Sequence, residues 1–513
     1  MATAAPAEDA PISDTSGQRT EPQGLNIPLI IGVMLASLLQ ILDTTIANVA
    51  IPHMQAALGA TNDTITWVLT SYIIAAAVAM PATGWLADRI GARRLFLTAV
   101  AGFIITSMLC GLAQNLIEMV AFRLMQGLSG AFIAPLGQAA LLDASPRSKH
   151  PQMMAIYAMG VLLGPILGPI VGGWLTENYS WRWVFFVNVP SGLIALFILM
   201  TQLPRRPVVR RRFDLTGFAL IAIMLCSVQL MLDRGNQADW FNSAEIWLYL
   251  GLAVSCGWMT VIHFTTARDT LFDKAILADR NFLAALMIFI MLGFIIYSIM
   301  ALMPPMLEHL FGFGVIDAGL TLAPRGVGAV FVMNLSSHLI RRGFDARILI
   351  GLGFLIADLT IWQMTGWNLE VAQSEMIIVG IVQGLGLGLI IVPLNIVAFQ
   401  TLPQKYRTDA SSLLNLARSL AASLGIAMVS TLLARNTQIS HADLGDHIVD
   451  SALPAGLARL EPVAGQALAI VDAEVNRQAA MIAYLDDFYL IAWMILLFLP
   501  IVFVMKKSGP KQD

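Results

Sequence analysis

The chain has 513 residues, of which 57% are hydrophobic and only 12% charged, and its mean hydropathy is +0.74. Soluble proteins carry roughly a quarter charged residues, so a soluble globular fold is excluded, and the short alternating segments of a β-barrel wall are absent. The net charge of −3 decides little, because in a membrane protein the placement of charge matters more than its sum.

Residues 1–26 are polar, and no small-residue cleavage site follows, so the first apolar run is expected to stay as a helix. Runs of about twenty apolar residues, enough at 1.5 Å per residue to cross a core of about 30 Å, lie at 27–50, 65–86, 95–113, 117–142, 152–175, 182–203, 214–232, 243–265, 281–303, 317–340, 347–365, 374–400, 410–433 and 485–505. The expected fold is an all-α polytopic membrane protein of fourteen spans. Its parts are a tail (1–26), a six-helix bundle (27–203), a linker with two extra helices (204–266), a second six-helix bundle (267–505) and a tail (506–513). The seventh and eighth runs could instead be a re-entrant pair in a twelve-span protein. Only 434–484 forms a long segment outside the membrane. Its last part, Val463 to Ile482, reads as helix, and it could cap the outer mouth, receive a partner or be a tolerated insertion.

Lys and Arg set the orientation. Arg89, Arg93, Arg94, the Arg205–Arg212 cluster, Arg341, Arg342, Lys506 and Lys507 share one side, which places both termini in the cytoplasm. A weak internal repeat joins Gln126-Gly127-Leu128 and Pro135-Leu136 in span four to Gln383-Gly384-Leu385 and Pro393-Leu394 in span twelve. Parallel repeats of this kind place a substrate site between the halves, near the bilayer midplane. Cys110, Cys226 and Cys256 show no metal-ligand spacing and read as packing residues.

Span five carries a ladder of helix breakers: Gly160, Gly164-Pro165, Gly168-Pro169 and Gly172-Gly173. Such a helix is intrinsically poor and must be held by its neighbours. It gains a bare, bendable face against which another helix can press and slide, as a moving part of a transporter would.

Two charges stand in the wrong solvent, Asp43 in span one and Arg123 in span four. Each costs at least ~2.5–3.5 kcal/mol on insertion scales and should find a partner inside the protein. Helix arithmetic puts their depths within about 4 Å of each other. A carboxylate beside a guanidinium stays ionised, and one moved from it into a dry cavity takes a proton. Making and breaking the pair would couple proton movement to transport; a permanent pair would merely fasten two spans. Arg325, after Pro324, could attract an anion, replace a fixed proton or bond freed carbonyls. Arg418 is too deep to snorkel easily, and Asp358 is a lesser proton-site candidate. Gln40, Asn48, Gln126, Gln138, Gln383 and Asn395 could line a cavity, with Arg325 and Arg418, walled by some of the 26 Met residues.

These motifs resemble those of a known family. Gly84-Trp85-Leu86-Ala87-Asp88-Arg89-Ile90-Gly91-Ala92-Arg93-Arg94 is similar to the loop signature of the major facilitator superfamily, and Arg123-Leu124-Met125-Gln126-Gly127 to its span-four motif. The glycine ladder resembles the antiporter motif of its exporters. The stretch Leu42 to Pro52, with Trp183 to Pro190 and Met231 to Gly235, resembles EmrB-like fourteen-span drug:proton antiporters. The resemblance implies alternating access and proton-driven efflux with no cofactor beyond the proton. It also implies the bacterial inner membrane, an EmrA-like periplasmic adaptor and an outer-membrane channel. It further implies that Gly84, Asp88, Arg89, Gly91 and Arg93 form the cytoplasmic gate, with Asp88 and Arg89 pairing across the bundle interface, that Asp43 and Arg123 handle the proton, and that the ladder lets span five seal against the other half. Ala92 departs from the family's basic residue, a role left to Arg93 or Arg94.

An ATP-driven pump is excluded for the chain itself, which has no GxxxxGK[ST]. A lipid-modifying membrane enzyme finds no HxxxH, HExxH or GxSxG, and a non-transporting scaffold does not explain Asp43 beside an intact ladder. The cargo stays open: drugs, or an endogenous metabolite, lipid or siderophore.

Overall fold

The computed structural model describes residues 26–146, 149–204, 208, 212–446 and 464–505, with only the backbone of 62, 162, 165, 166, 315 and 464–468. Most of the basic cluster at 205–211, Lys506, Lys507, nearly all of both tails and the middle of the 434–484 segment lie outside the described residues. The described residues are helical throughout, with no strand. Twelve helical segments are long and apolar enough to cross a membrane. One of them, Asp63–Leu112, takes in both the second and third expected spans.

In chain order the long helices are α1 (Ile27–Leu58), α2 (Trp67–Ala79), α3 (Ala92–Leu112), α4 (Leu116–Gly130), α5 (Ile133–Asp143), α6 (His150–Asn178), α7 (Asn188–Gln202), α8 (Leu215–Arg234), α9 (Ala244–Thr266), α10 (Arg280–His309), α11 (Val315–Arg341), α12 (Ala346–Met364), α13 (Gln373–Gln400), α14 (Arg407–Asp446) and α15 (Ala464–Phe498). Their starts are capped by side chains that accept free backbone N–H groups: Asn26 for α1, Asn115 for α4, Asp214 for α8, Asp279 for α10 and Asp345 for α12. Pro81 narrows the end of α2, and a wide π-helical turn over Ala87–Gly91 leads into α3. Gly91 closes that turn at φ +93, a backbone region that disfavours a side chain. α4 and α5, expected as one span, are separated at Ala131 and Phe132. By contrast, α6 runs unbroken through the breaker ladder for 29 residues.

Helices α1–α7 form one bundle and α10–α15 a second. The seventh and eighth expected spans are full helices, α8 and α9, each long enough to cross. Ile221 and Leu225 of α8 pack with Ala76, Ala77 and Ala79 of α2 and with Leu416 of α14, so this helix rests on both bundles. α9 turns Trp247, Leu248, Val254 and Trp258 outward, more than half exposed, a surface made for lipid. α14 is 40 residues long, or about 60 Å, twice what a bilayer needs. Its far end and the start of α15 form a projecting antiparallel pair, joined by His441 Nε2 to Asp472 Oδ1 at 3.1 Å and Asn436 Nδ2 to Asp486 Oδ2 at 3.2 Å. The expected helix near Val463 is the start of α15.

Candidate functional site: a sealed carboxylate and the seam between the bundles

Asp43 of α1 and Arg123 of α4 are both 0% exposed and lie 2.6 Å apart, Arg123 Nη1 donating to Asp43 Oδ2. The other carboxylate oxygen accepts from Gln126 Nε2 (2.9 Å) and Asn188 Nδ2 (2.7 Å). Asn188 begins α7, so one carboxylate ties three helices together. Arg123 also donates from Nε to the carbonyl of Val68 and from Nη1 to Gln126 Oε1, and its guanidinium lies 4.4 Å from the Tyr72 ring centre. Asn188 Nδ2 reaches Ser107 Oγ, which donates to the carbonyl of Phe185. A buried charge is tolerated when its lone pairs and protons are used, and here the carboxylate has three donors. Gln126 therefore belongs to this cluster and not to a cavity wall. No sequence pattern marks Tyr72 or Ser107, and the one signal for Asn188 is its place inside the Trp183–Pro190 motif.

The second polar group lies between the bundles, toward the face that carries the 86–94 loop. Gln138 Nε2 of α5 donates to Asn395 Oδ1 of α13 (2.6 Å), while Gln138 Oε1 accepts from Ser411 Oγ (2.6 Å) and Asn415 Nδ2 (3.3 Å) of α14. Arg418 Nη2 caps the chain on Asn415 Oδ1 at 3.0 Å. Closer to the face, Arg407 Nη1 pairs with Asp143 Oδ1 at 3.0 Å, and Ser412 Oγ donates to the carbonyl of Met80. A Cβ on Gly84 would overlap the carboxylate of Asp409. These bonds clamp α2 and α5 to the start of α14 and shut the basic face.

The expected gate residues lie on and around the π-helical turn that leads into α3. Arg89 is exposed and sits over the Trp85 ring of its own loop, 5.3 Å from the centre. Arg93 Nη2 donates to the carbonyl of Met200 in the same bundle, and Asp88 is half-buried on the π-helical turn. Gly84, packed on Asp409, and Asp143, bonded to Arg407, face the second bundle. Gly84→Leu is therefore expected to hold this face open. Labelling of a cysteine placed at Ser411, now 0% exposed, by an impermeant maleimide should rise severalfold in that background.

The ladder faces α1, inside its own bundle. A Cβ on Gly160 would meet Met34, on Gly164 Ile41, on Gly168 Thr45 and on Gly172 Ile46, whereas Gly173 faces open space. Pro169 is half-buried, and of Pro165 only the backbone is described. The surface of α6 that meets the other bundle includes Ala155, Ala158 and Met159, packed on Ala329 and Met333 of α11 and Val392 of α13, and Ile170, beside Gly319 of α11. So the small-residue stripe and the sealing stripe are two faces of one helix.

The remaining cavity candidates do not converge. Gln40 is half-buried near Asp43's end of α1, Asn48 is exposed, and Arg325 and Gln383 line a separate cleft within the second bundle. Among the described residues no group of His, Cys, Asp or Glu could hold a metal ion.

Two helical bundles joined through a polar seam, with a charged pair buried in one of them, define a multi-pass membrane transporter. A Major Facilitator Superfamily model matches residues 33–426, and the chain belongs to that family. It is 34% identical to the fatty acid resistance protein FarB of Neisseria gonorrhoeae, over 92% of this chain and 94% of that one. It is 35% identical to the multidrug export protein EmrB of Haemophilus influenzae (83% and 84%), and 31% identical to EmrB of Escherichia coli K12 (93% and 95%). Among solved structures, the human organic anion transporter MFSD10 superposes with a TM-score of 0.58 at 14% identity, covering 92% of this chain and 100% of that one.

Proposed function

We propose that the protein is a proton-coupled exporter of hydrophobic or amphipathic small molecules, with Asp43 carrying the proton. The observation that carries this reading is the carboxylate sealed among Arg123, Gln126 and Asn188. When Asp43 takes a proton it loses its charge, and three helices lose the anion that their donors share. At an effective dielectric of 20, unit charges 4 Å apart attract by about 4 kcal/mol. One charge crossing 100 mV releases about 2.3 kcal/mol. The two are of one order, so a membrane potential with a pH gradient can drive the pair open. Gln138, Asn395, Ser411 and Arg407 then hold the basic face shut while the other side is accessible.

On this reading the chain has fourteen spans in a bacterial inner membrane, the basic face and both termini being cytoplasmic. The projecting α14–α15 pair is then periplasmic and is the natural seat for an EmrA-like adaptor leading to an outer-membrane channel. Its support is the length of α14, together with relatives named as export proteins. Cells expressing the protein are expected to hold less of a lipophilic dye than cells lacking it, and a protonophore should erase the difference. Dye retention indifferent to the protonophore would end the coupling reading.

A further inference from the structure

The second bundle repeats the first with one change. Gln383 of α13 stands where Gln126 of α4 does in the repeat, but three residues before it the place of Arg123 is taken by Gly380. Arg325 of α11 lies next to that gap: a Cβ on Gly380 would come 3.8 Å from the Cβ of Arg325. A neighbouring helix thus supplies the guanidinium that α13 itself lacks. In the first bundle the guanidinium meets Asp43. In the second, Arg325 and Gln383 share a small cleft with Trp367, just beyond the end of α12, and no carboxylate lines it.

Arg325 Nη2, Trp367 Nε1 and Gln383 Nε2 are all buried and hydrogen-bonded to nothing among the described residues. Trp367 is 4% exposed and Gln383 3%. A guanidinium and an indole can only donate, whereas an amide can offer either end, so the first two carry the argument. The one hydroxyl in the lining, Thr321, is already engaged, donating to the carbonyl of Asp317 and accepting from Gln373 Nε2. Buried donors without acceptors are rare in folded proteins and call for an explanation, and a charge at membrane depth is normally paired. A water molecule would satisfy the donors but leave the charge uncompensated. The free space is about 20 Å³, against the roughly 10–15 Å³ that one water needs. That is room for one small ion and too little for a carboxylate or phosphate head. Met303, Met364 and Met376 complete the wall with flexible thioethers that can close around a sphere.

We propose that this cleft holds a single monatomic anion, chloride, bound by Arg325 and Trp367 with Gln383 Nε2 as a third donor. The ion plays in the second bundle the part that the Asp43 carboxylate plays in the first. It is resident and is not cargo: it ties α11 and α13 to the segment after α12. The proposal therefore goes beyond the export reading and does not depend on it.

The test follows thermal unfolding of the full-length protein in detergent micelles at fixed ionic strength, with sodium chloride, bromide or gluconate. A ligand that binds only the folded state raises the melting temperature as its concentration rises. Chloride and bromide are expected to do so saturably relative to gluconate, which is too bulky for the cleft. Arg325→Gln should abolish the difference. Trp367→Phe keeps a ring against Phe488, now 6.3 Å away between centres, and removes one donor to the ion, so half the rise should require about tenfold more chloride. Should Arg325→Gln not be recovered as folded protein, Trp367→Phe and Arg325→Lys carry the comparison, the lysine variant keeping a weakened response. Equal melting in chloride and gluconate would mean that the donors hold water alone, and overturns the proposal. So does a chloride response that none of these substitutions changes, since the ion would then sit elsewhere.

Discussion

Asp43→Asn is expected to reduce proton-driven efflux to background and to destabilise the protein as well. The second effect follows from the surroundings: Arg123 is 0% exposed and, among the described residues, Asp43 is its one acidic partner, so the substitution leaves a buried guanidinium uncompensated. Breaking one side of such a pair costs about 3–5 kcal/mol. Asp43→Asn/Arg123→Gln removes both charges and should recover most of that loss in a thermal melt. The double variant should still fail to move protons, since neither side chain titrates. Stability and transport are thereby separated, which the single variant cannot do. A folded double variant with protonophore-sensitive efflux would show that Asp43 merely fastens α1 to α4.

The pair itself was legible from sequence because membrane insertion makes charge expensive, and two expensive residues at matched depth select each other. The third and fourth partners were not. Gln126 and Asn188 are polar residues among several in the spans, and only the rotation of α4 and α7 decides that they turn toward Asp43 while Asn48 turns outward. The same holds for the gate. The 86–94 loop announced itself by its composition, but the residue packed on Gly84, just before that loop, is Asp409 on α14, far away in sequence and carried by no motif. Asp143 and Arg407 pair across the bundles and were unreadable for the same reason. Helix positions came through well, since twenty apolar residues have few alternatives in a bilayer. The division of span four into α4 and α5 did not, although Pro135 stands just inside the second piece. Asp487 of α15, buried with neither oxygen hydrogen-bonded among the described residues, is hard to read from sequence because it lies at the edge of an expected span.

α6 joins these pieces. Its Ala155, Ala158 and Met159 face lies on the second bundle, and its glycine face lies on α1 on either side of Asp43. A shift of the second bundle against α6 therefore reaches α1 through direct backbone packing, with no long side chain between to absorb it. Dense packing transmits such displacements and does not damp them. The ladder's worth on this account is closeness to α1, and the seal against the other half is made by different residues.

Gly164→Leu and Gly168→Leu are accordingly expected to abolish coupled efflux. An added Cβ at either position falls on Ile41 or Thr45 of α1, with α1 backbone next in line at 3.5 Å, so a leucine can be housed only by pushing the helices apart. Overpacking of this kind costs about 1–3 kcal/mol, small enough for the protein to insert and fold. The functional cost is larger, because Ile41 and Thr45 flank Asp43. A displacement of α1 by about an ångström takes the 2.6 Å contact with Arg123 beyond hydrogen-bond range. The series has built-in controls. Gly160→Ala meets mainly the flexible end of Met34 and should be mild, and Gly173→Ala meets nothing within 4 Å and should be silent. Efflux should match the wild type in Gly173→Ala, be slightly lower in Gly160→Ala and be lost in Gly164→Leu and Gly168→Leu, which should also leak protons in vesicles. If the two leucine variants pump at the wild-type rate, close approach of α6 to α1 is tolerated packing and plays no part in moving Asp43.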